Sequence, residues 1–265
     1  MRTQRNVQAT GGAFLATMLL MSSSAMANEN STAELTRNLR AVESLSALGE
    51  QLKGLVLAEF GFSADDIRYW SDAVDDAFDP ALLEADFTEA LDERLPEAIA
   101  EAALTFDQSP LGQRAYELVA KSHPLEEEAA IAGGRDYLEN APEDGLALVT
   151  GIYESQFGSA RANLTMDIYY RAMAIAAEPV IGEAGAEEWV ASAQYLRDVY
   201  VENYFSVTAG IFGALENDEL TELAAALDTP EMIAYGELST EVMGETMHAA
   251  IDRLEVTYAD VRAGN

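Results

Sequence analysis

The stretch FDQSPLGQR at residues 106–114 decides the fold, because one helix must end and another begin within it. Ser109 is a typical N-cap residue, since its hydroxyl can accept a hydrogen bond from a backbone amide two or three residues on. Pro110 suits the first helical position, where the amide hydrogen that proline lacks would have no partner within the helix. The dipeptides Asp79-Pro80 and Thr229-Pro230 repeat this arrangement. We therefore predict a helix after each of the three caps.

Apolar side chains recur at steps of three and four residues along most of the chain, which is the period of a helix with one buried face. Ser31 and Glu34 have capping-box spacing and open the first predicted helix, which extends to Gly61. The longer helices of the second half are predicted at 143–155, 160–177, 186–215, 218–227 and 230–263. No stretch alternates with period two for long enough to predict a sheet. The fold class is therefore all-α, with a single compact multi-helix domain over residues 28–265.

Two parts of the chain share capping signals at a separation of 120 residues. Residues 109–110 and 229–230 both place Ser or Thr before Pro, and residues 117–118 and 237–238 both place Glu before Leu. One interpretation is an internal duplication that relates two helical halves, at about 54–140 and 160–263. The other is that two ordinary helical hairpins use the same capping chemistry, since capped helices converge readily on such signals. The sequence leaves both interpretations open.

Residues 1–27 have the three parts of a cleavable secretory signal peptide. Arg2 and Arg5 form a short basic leader, an apolar run occupies residues 12–21, and Ala25-Met26-Ala27 offers the small residues that a signal peptidase requires. The alternative is an uncleaved membrane anchor, for which this run is short, since a bilayer-spanning helix needs about 20 apolar residues. We expect an exported protein that resides in the periplasm.

The charge balance is strongly acidic, with 47 Asp and Glu against 15 Lys and Arg and a formal net charge of −32. Such a charge repels nucleic acid phosphates and anionic lipid headgroups, so we expect no nucleic acid partner. No segment after residue 27 is long and apolar enough to cross a bilayer, so we expect no stable membrane insertion after signal cleavage. The acidity has two interpretations, solubility as in a saline habitat and an acidic binding surface. The absence of cysteine excludes disulfides and metal sites built on thiolates.

Glu241, Glu245 and His248 form the one pattern that resembles a metal-ligand motif. Di-iron carboxylate bundles use Glu-x-x-His to project two ligands from one helix, but they also require a second such pair and further glutamates. His123, the other histidine, has Ala120 three positions before it and completes no second pair. We therefore predict no catalytic, metal or cofactor site here. The two glutamates should face water, and the His248 ring should pack beside the apolar face of its helix.

Aromatic residues cluster in the second half of the chain, at residues 169–170 and at Tyr195, Tyr200, Tyr204 and Phe205. Their helical spacing favours core or helix–helix contacts, because large rings bury well with their hydroxyls at the edge. A ligand groove between helices is the alternative. We expect these rings to lie inside the helical domain.

Residues 78–83, FDPALL, together with the stretch at 106–114, resemble bacterial domain-of-unknown-function family 2059, whose members often carry an aromatic residue and then Ser-Pro-x-Gly between two helices. The second half departs from that pattern, with Ala226 for the aromatic residue, Thr229 for the serine and Met232 for the glycine. The resemblance extends over most of the mature chain. It implies an exported helical protein without assigned catalytic residues.

These features favour a non-enzymatic periplasmic protein that binds another protein or a small apolar ligand between its helices. This hypothesis rests on the many helix caps and apolar helix faces of the sequence, together with the lack of any motif for a polar site. The alternative is a metal-dependent or carboxylate-based periplasmic enzyme whose carboxylates come together only in the fold. The two hypotheses predict different structures, since the enzyme requires acidic side chains and His248 to converge in one buried cleft.

Signal cleavage is expected after Ala27, because the small side chains before the cleaved bond fit the peptidase and Asn28 begins a polar stretch. The exported protein should therefore begin at Asn28. N-terminal sequencing of protein recovered from the periplasm measures this directly, and a first residue of Met1 would contradict it.

Overall fold

The computed structural model describes residues 31–38, 41–55, 62–121 and 127–263, so residues 1–27, Gly61 and His123 lie outside the described residues. The described chain consists of helices joined by short connections and contains no strand, which confirms the all-α prediction. The helices pack into one compact domain around a shared apolar core. Their bounds are α1 Ser31–Asn38, α2 Ala41–Leu55, α3 Ala64–Ala77, α4 Pro80–Arg94, α5 Glu97–Gln108, α6 Pro110–Lys121, α7 Glu127–Asn140, α8 Glu143–Ser155, α9 Gly158–Ala193, α10 Tyr195–Phe212, α11 Asn217–Leu227 and α12 Pro230–Ala263. Over these ranges, no helix combines the length and the apolar character that crossing a membrane requires.

Each of the three predicted caps begins a helix. The Ser109 hydroxyl accepts a hydrogen bond from the Gly112 amide at 2.9 Å, and the Thr229 hydroxyl accepts one from the Met232 amide at 3.4 Å. Asp79 caps α4 in the same way, since its Oδ1 accepts bonds from the amides of the second and third helical residues. The cap predictions are thus confirmed, and all three helices begin at their prolines.

The boundaries predicted for the helix over 186–215 are wrong, because the structure divides this segment at Gln194 between α9 and α10. The Tyr170 hydroxyl lies 3.0 Å from the carbonyl oxygen of Ala193 and 3.3 Å from that of Gln194, so it occupies acceptors that an uninterrupted helix would use internally. Within α9 the chain also bends at Gly182, whose φ of 75° lies in the left-handed region that suits glycine. The contact of the Tyr170 hydroxyl and the left-handed conformation of Gly182 thus set helix boundaries and a bend that the spacing of apolar residues does not predict.

Helix α12 spans 34 residues and packs against α3, α4, α5, α9 and α11. Val242, Met247, Ile251 and Leu254 lie along one side of it and are fully buried. Their steps of three to five residues keep them on one helical face. Burial of each such side chain contributes about 1.5–3 kcal/mol, so this face is a main source of stability.

Two consecutive helices of the first half have counterparts in the second half at the separation of 120 residues. Helices α11 and α12 begin 120 residues after α5 and α6, at Asn217 and Pro230 against Glu97 and Pro110. The packing is also reciprocal, since α5 lies against α12 and α11 lies against α6, while α4 lies against α12 and α10 lies against α6. Such an arrangement is what two related halves would produce, and the duplication itself stays a prediction.

Helices α7 and α10 pack backbone against backbone. A Cβ atom at Gly134 would overlap the carbonyl oxygen of Ser206, and one at Gly210 would lie 2.9 Å from the carbonyl oxygen of Ala130. Gly133, the preceding residue of α7, is exposed, and a Cβ atom there would meet nothing within 4 Å. Alanine substitutions at these two adjacent glycines therefore distinguish the effect of helix propensity on stability from the effect of close contact between the helices.

We predict opposite effects on stability for alanine at these two glycines. Gly133→Ala should raise the free energy of unfolding by up to about 1 kcal/mol, because alanine loses less backbone entropy in a helix than glycine. Gly134→Ala should lower it by about 1–3 kcal/mol, since its methyl group must push α7 away from α10. Urea unfolding followed by circular dichroism measures both values. Equal stabilisation by the two variants would show that the helices do not approach this closely.

Candidate functional site

The structure places Glu241 and Glu245 on the exposed side of α12, where both bind one arginine of α4. Arg94 Nη1 donates to Glu245 Oε1 at 2.6 Å, and Arg94 Nη2 donates to Glu241. The two glutamate side chains are 54% and 58% exposed, so they lie on the surface as predicted. These contacts link α4 to α12, which gives both carboxylates a structural partner.

His248 is exposed, and its Nδ1 lies 2.7 Å from the carbonyl oxygen of Gly244 in the preceding turn. The expectation that its ring packs beside the apolar face is therefore wrong, because the bond to its own helix holds the ring on the outside. Glu241, Glu245 and His248 thus do not meet in a buried cleft. Across the part of the chain that the structure describes, no group of three or more His, Asp or Glu side chains is placed to hold a metal ion.

A different set of polar side chains lies inside the domain, where α5, α6, α9, α10 and α12 and the connection between α8 and α9 surround it. We call this set the tyrosine–arginine cluster. Its members are each at most 6% exposed, and they include the two charged side chains that are buried within the described ranges. The members of the cluster are Asp107, Tyr116, Arg161, Tyr204 and Tyr235, and buried Gln156 belongs to the adjoining connection between α8 and α9.

Arg161 is 4% exposed and is held by hydroxyl groups of α12. Its Nε donates to Thr240 Oγ1 at 2.9 Å, and its Nη2 donates to Ser239 Oγ at 3.0 Å. Burial lowers the pKa of Arg161, because desolvation disfavours the charged guanidinium. Arginine nevertheless stays protonated in proteins, so the cluster contains a positive charge inside the core.

Two tyrosine hydroxyls lie within electrostatic range of this guanidinium, those of Tyr204 and Tyr235. Burial raises the pKa of Tyr204 to about 12. Burial raises the pKa of Tyr235 well above its ordinary value, and the negative charge of Asp107 adds to that rise. Both phenols therefore keep their protons near neutral pH and are able to donate a hydrogen bond. Neither hydroxyl has a hydrogen-bond partner among the described residues.

Gln156 contributes a third such donor, since its Nε2 is buried and has no partner in the described part of the chain. It belongs to the connection between α8 and α9, next to Phe157, whose φ of 56° is left-handed and rare for a residue with a side chain. This connection touches α12 beside Tyr235. A Cβ atom at Gly236 would lie 3.2 Å from the Ser155 carbonyl oxygen and 3.3 Å from the Phe157 ring.

The polar groups of the cluster on α5 and α6 have hydrogen-bond partners. Asp107 is 3% exposed, and its Oδ1 accepts a hydrogen bond from the Tyr116 hydroxyl. Gln113 Nε2 donates to the Asp107 carbonyl oxygen at 2.6 Å. Burial raises the pKa of Tyr116 well above its ordinary value, and the nearby Asp107 carboxylate adds to that rise. Tyr116 and Tyr235 are thus two buried tyrosines in one cluster that differ in whether the hydroxyl is bonded.

Aromatic rings line the cluster on the side of α8 and α10. The Tyr153 ring lies 4.9 Å from that of Phe205 and 6.2 Å from that of Tyr204, and the Tyr200 and Tyr204 rings are 6.5 Å apart. The prediction that the aromatic residues lie inside the domain is confirmed for Tyr200 and Tyr204. It is wrong for Tyr195, which is 58% exposed.

Sequence reasoning did not select Arg161, Asp107, Tyr116 or Tyr235. The one available signal was an arginine among the apolar positions of a predicted helix, at 160–177, where a charge is out of place. Its partners Ser239 and Thr240 lie far along the chain, so no local motif joins them.

Comparison with family models, with curated proteins and with solved structures finds no match for the chain. The resemblance to the uncharacterised family named above stays a prediction.

We predict that the two buried tyrosines respond differently to loss of the hydroxyl. Tyr116→Phe should lower the free energy of unfolding by about 2 kcal/mol, because it removes a bond to a buried carboxylate. Tyr235→Phe should leave it unchanged or raise it by about 1 kcal/mol, because it removes a buried donor that lacks an acceptor. Urea unfolding of the two variants measures the difference. A loss at Tyr235 as large as that at Tyr116 would mean that the Tyr235 hydroxyl is bonded in the folded protein.

Proposed function

We propose that the chain is exported to the periplasm and acts there as a non-enzymatic binding module, which holds a small ligand at the tyrosine–arginine cluster. One observation carries this proposal: Tyr204, Tyr235 and Gln156 each bury a hydrogen-bond donor with no acceptor among the described residues. A buried unsatisfied donor costs about 1–3 kcal/mol, and a ligand that offers acceptor atoms would recover that cost.

Export is supported by the signal-peptide pattern of residues 1–27, with its basic leader, apolar run and small residues before Asn28. The strongly acidic composition supports a partner other than nucleic acid, because like charges repel.

A binding role is supported over a catalytic one by the acid–base character of the cluster. General acid–base catalysis works best with a group whose pKa lies near the operating pH. Burial moves the pKa of Tyr204 to about 12 and that of Tyr235 well above its ordinary value, so both move away from neutrality. Groups that keep their protons are suited to holding an acceptor in place.

A small ligand is supported over a protein partner by the depth of the cluster. Tyr204 is 0% exposed, Arg161 4% and Tyr235 6%, so a partner protein on the surface would not reach these donors. Helix bundles commonly hold small ligands between facing helices, where a few polar groups set the orientation within an apolar lining.

The test is native mass spectrometry of the protein recovered from periplasm. We expect the mature chain to carry a small noncovalent adduct, and we expect the double variant Tyr204→Phe, Tyr235→Phe to lose most of it because the ligand then lacks two donors. Tyr258→Phe is the matched control, since Tyr258 is a buried tyrosine of α12 whose hydroxyl accepts a bond from Arg262 rather than belonging to the cluster. An adduct that is absent from the wild type, or equal in all variants, would contradict the proposal.

A further inference from the structure

We infer that residues 183–193, the last part of α9, form a hinged cover that opens as a unit while the rest of the domain stays folded. The helical geometry is interrupted at both ends of this segment, at Gly182 and at Gln194. The hydroxyl of Tyr170 bonds its far end to the body of the domain. The movement goes beyond the proposed function, since it is a property of the fold and is independent of any ligand at the tyrosine–arginine cluster.

The first hinge is at Gly182. Its φ of 75° and ψ of 165° separate two helical stretches, and glycine adopts this conformation without the steric clash that a Cβ atom introduces. Pro179 lies about one turn earlier and lacks the amide hydrogen that would bond to the preceding turn, which weakens the helix before the bend. A Cβ atom at Gly182 would meet nothing within 4 Å among the described residues, so the backbone has open space at this point.

The second hinge is at Gln194, where α9 ends and α10 begins. The backbone bonds across it are long, since the Gln194 amide lies 3.4 Å from the Ala191 carbonyl oxygen and the Arg197 amide lies 3.2 Å from that of Gln194. The Tyr170 hydroxyl donates to the Ala193 carbonyl oxygen at 3.0 Å. Tyr170 belongs to the part of α9 before the bend, so this bond connects the end of the cover to the body of the domain.

The cover packs on the domain through one narrow stripe. Ala186 and Ala193 are buried, and between them Trp189 and Val190 are half-buried, at steps of three and four residues. The outward side is exposed and carries Glu183, Glu187 and Glu188. Two of the inward side chains are single methyl groups, which remove little apolar area from water, whereas the inward stripe of α12 consists of large, fully buried side chains. We therefore expect the cover to open far more often than the whole domain unfolds.

The experiment uses the absence of cysteine, because a single introduced thiol then reports the exposure of one position. Ala186→Cys places the thiol on the inward side of the cover, and Ala250→Cys places it in the core of α12, where the alanine is 0% exposed. Circular dichroism shows that each variant folds. The rate of alkylation by iodoacetamide is measured by mass spectrometry at several urea concentrations below the unfolding transition, relative to the rate for the same variant when unfolded.

We expect Ala186→Cys to react at least about tenfold faster than Ala250→Cys, since local opening is more frequent than global unfolding. Its rate should depend little on urea, because the slope with urea follows the surface that is exposed and the cover exposes little. The rate for Ala250→Cys should rise steeply with urea. Equal rates with equal urea dependence would overturn the inference, because the segment would then open only with the whole domain.

A second substitution tests the bond that holds the cover closed. Adding Tyr170→Phe to Ala186→Cys should raise the alkylation rate about tenfold, as expected for the loss of one hydrogen bond, and the urea dependence should stay low. Tyr258→Phe is the matched control, because Tyr258 is a buried tyrosine whose hydroxyl bonds to Arg262 within α12. This control should leave the rate for Ala186→Cys unchanged. An unchanged rate with Tyr170→Phe would overturn the role of the Tyr170 hydroxyl.

Hydrogen exchange of the unsubstituted protein measures the same opening without any introduced thiol. Amides of residues 183–193 should exchange with little urea dependence, while those in the middle of α12 should exchange only through global unfolding. Equal protection of the two segments would contradict the inference, whatever the cysteine variants show.

Discussion

Burial of the apolar face of α12 is the interaction on which the rest of the structure depends. Five helices pack against this one element, and α3 does so partly through an edge-to-face contact between Trp70 and Tyr258, whose ring centroids are 5.2 Å apart. The Trp70 Nε1 also donates to the Leu52 carbonyl oxygen at 2.7 Å, which joins α2 to the same assembly. Each buried side chain contributes about 1.5–3 kcal/mol, more than the 0–1 kcal/mol typical of an exposed ion pair. The positions of α3, α4, α5, α9 and α11 therefore follow from the parts of α12 that they cover.

The excess of carboxylates opposes this assembly, and the few cations lie where they reduce the repulsion. Four arginines bridge α12 to a neighbouring helix, namely Arg94, Arg171, Arg253 and Arg262. Each is at least partly exposed, and each binds one or two acidic side chains. Arg161 has a different setting, because it is buried and donates to the hydroxyls of Ser239 and Thr240. The surface arginines therefore offset carboxylate repulsion where helices meet α12, whereas Arg161 bonds to hydroxyl groups inside the core.

The sequence was sufficient to predict features that depend on neighbouring residues. The N-caps at Ser109 and Thr229 and the bounds of α8 and α12 follow from capping and apolar period, which act within one or two turns. The break at Gln194 was beyond reach, since it depends on a hydroxyl of Tyr170 that approaches from a separate part of the chain. The tyrosine–arginine cluster could not be predicted for the same reason, because its members come from five helices that only the fold brings together. The one motif with local spacing, ending at His248, proved to lie on the surface.

Helices α5 and α11, like α6 and α12, begin 120 residues apart, and positions of the cluster in one helix of each pair correspond to apolar positions in the other. Asp107 and Leu227 are each the eleventh residue of their helix, α5 and α11, and both are buried. Tyr235 and Ala115 likewise share the sixth position of α12 and α6, and both are buried. In each pair, one helix thus packs an apolar side chain at the position where its counterpart carries a carboxylate or a phenol. Buried polar groups seldom stabilise a fold more than apolar residues of similar size, and departures from local rules concentrate at functional sites. This contrast supports the binding role that we propose for the cluster.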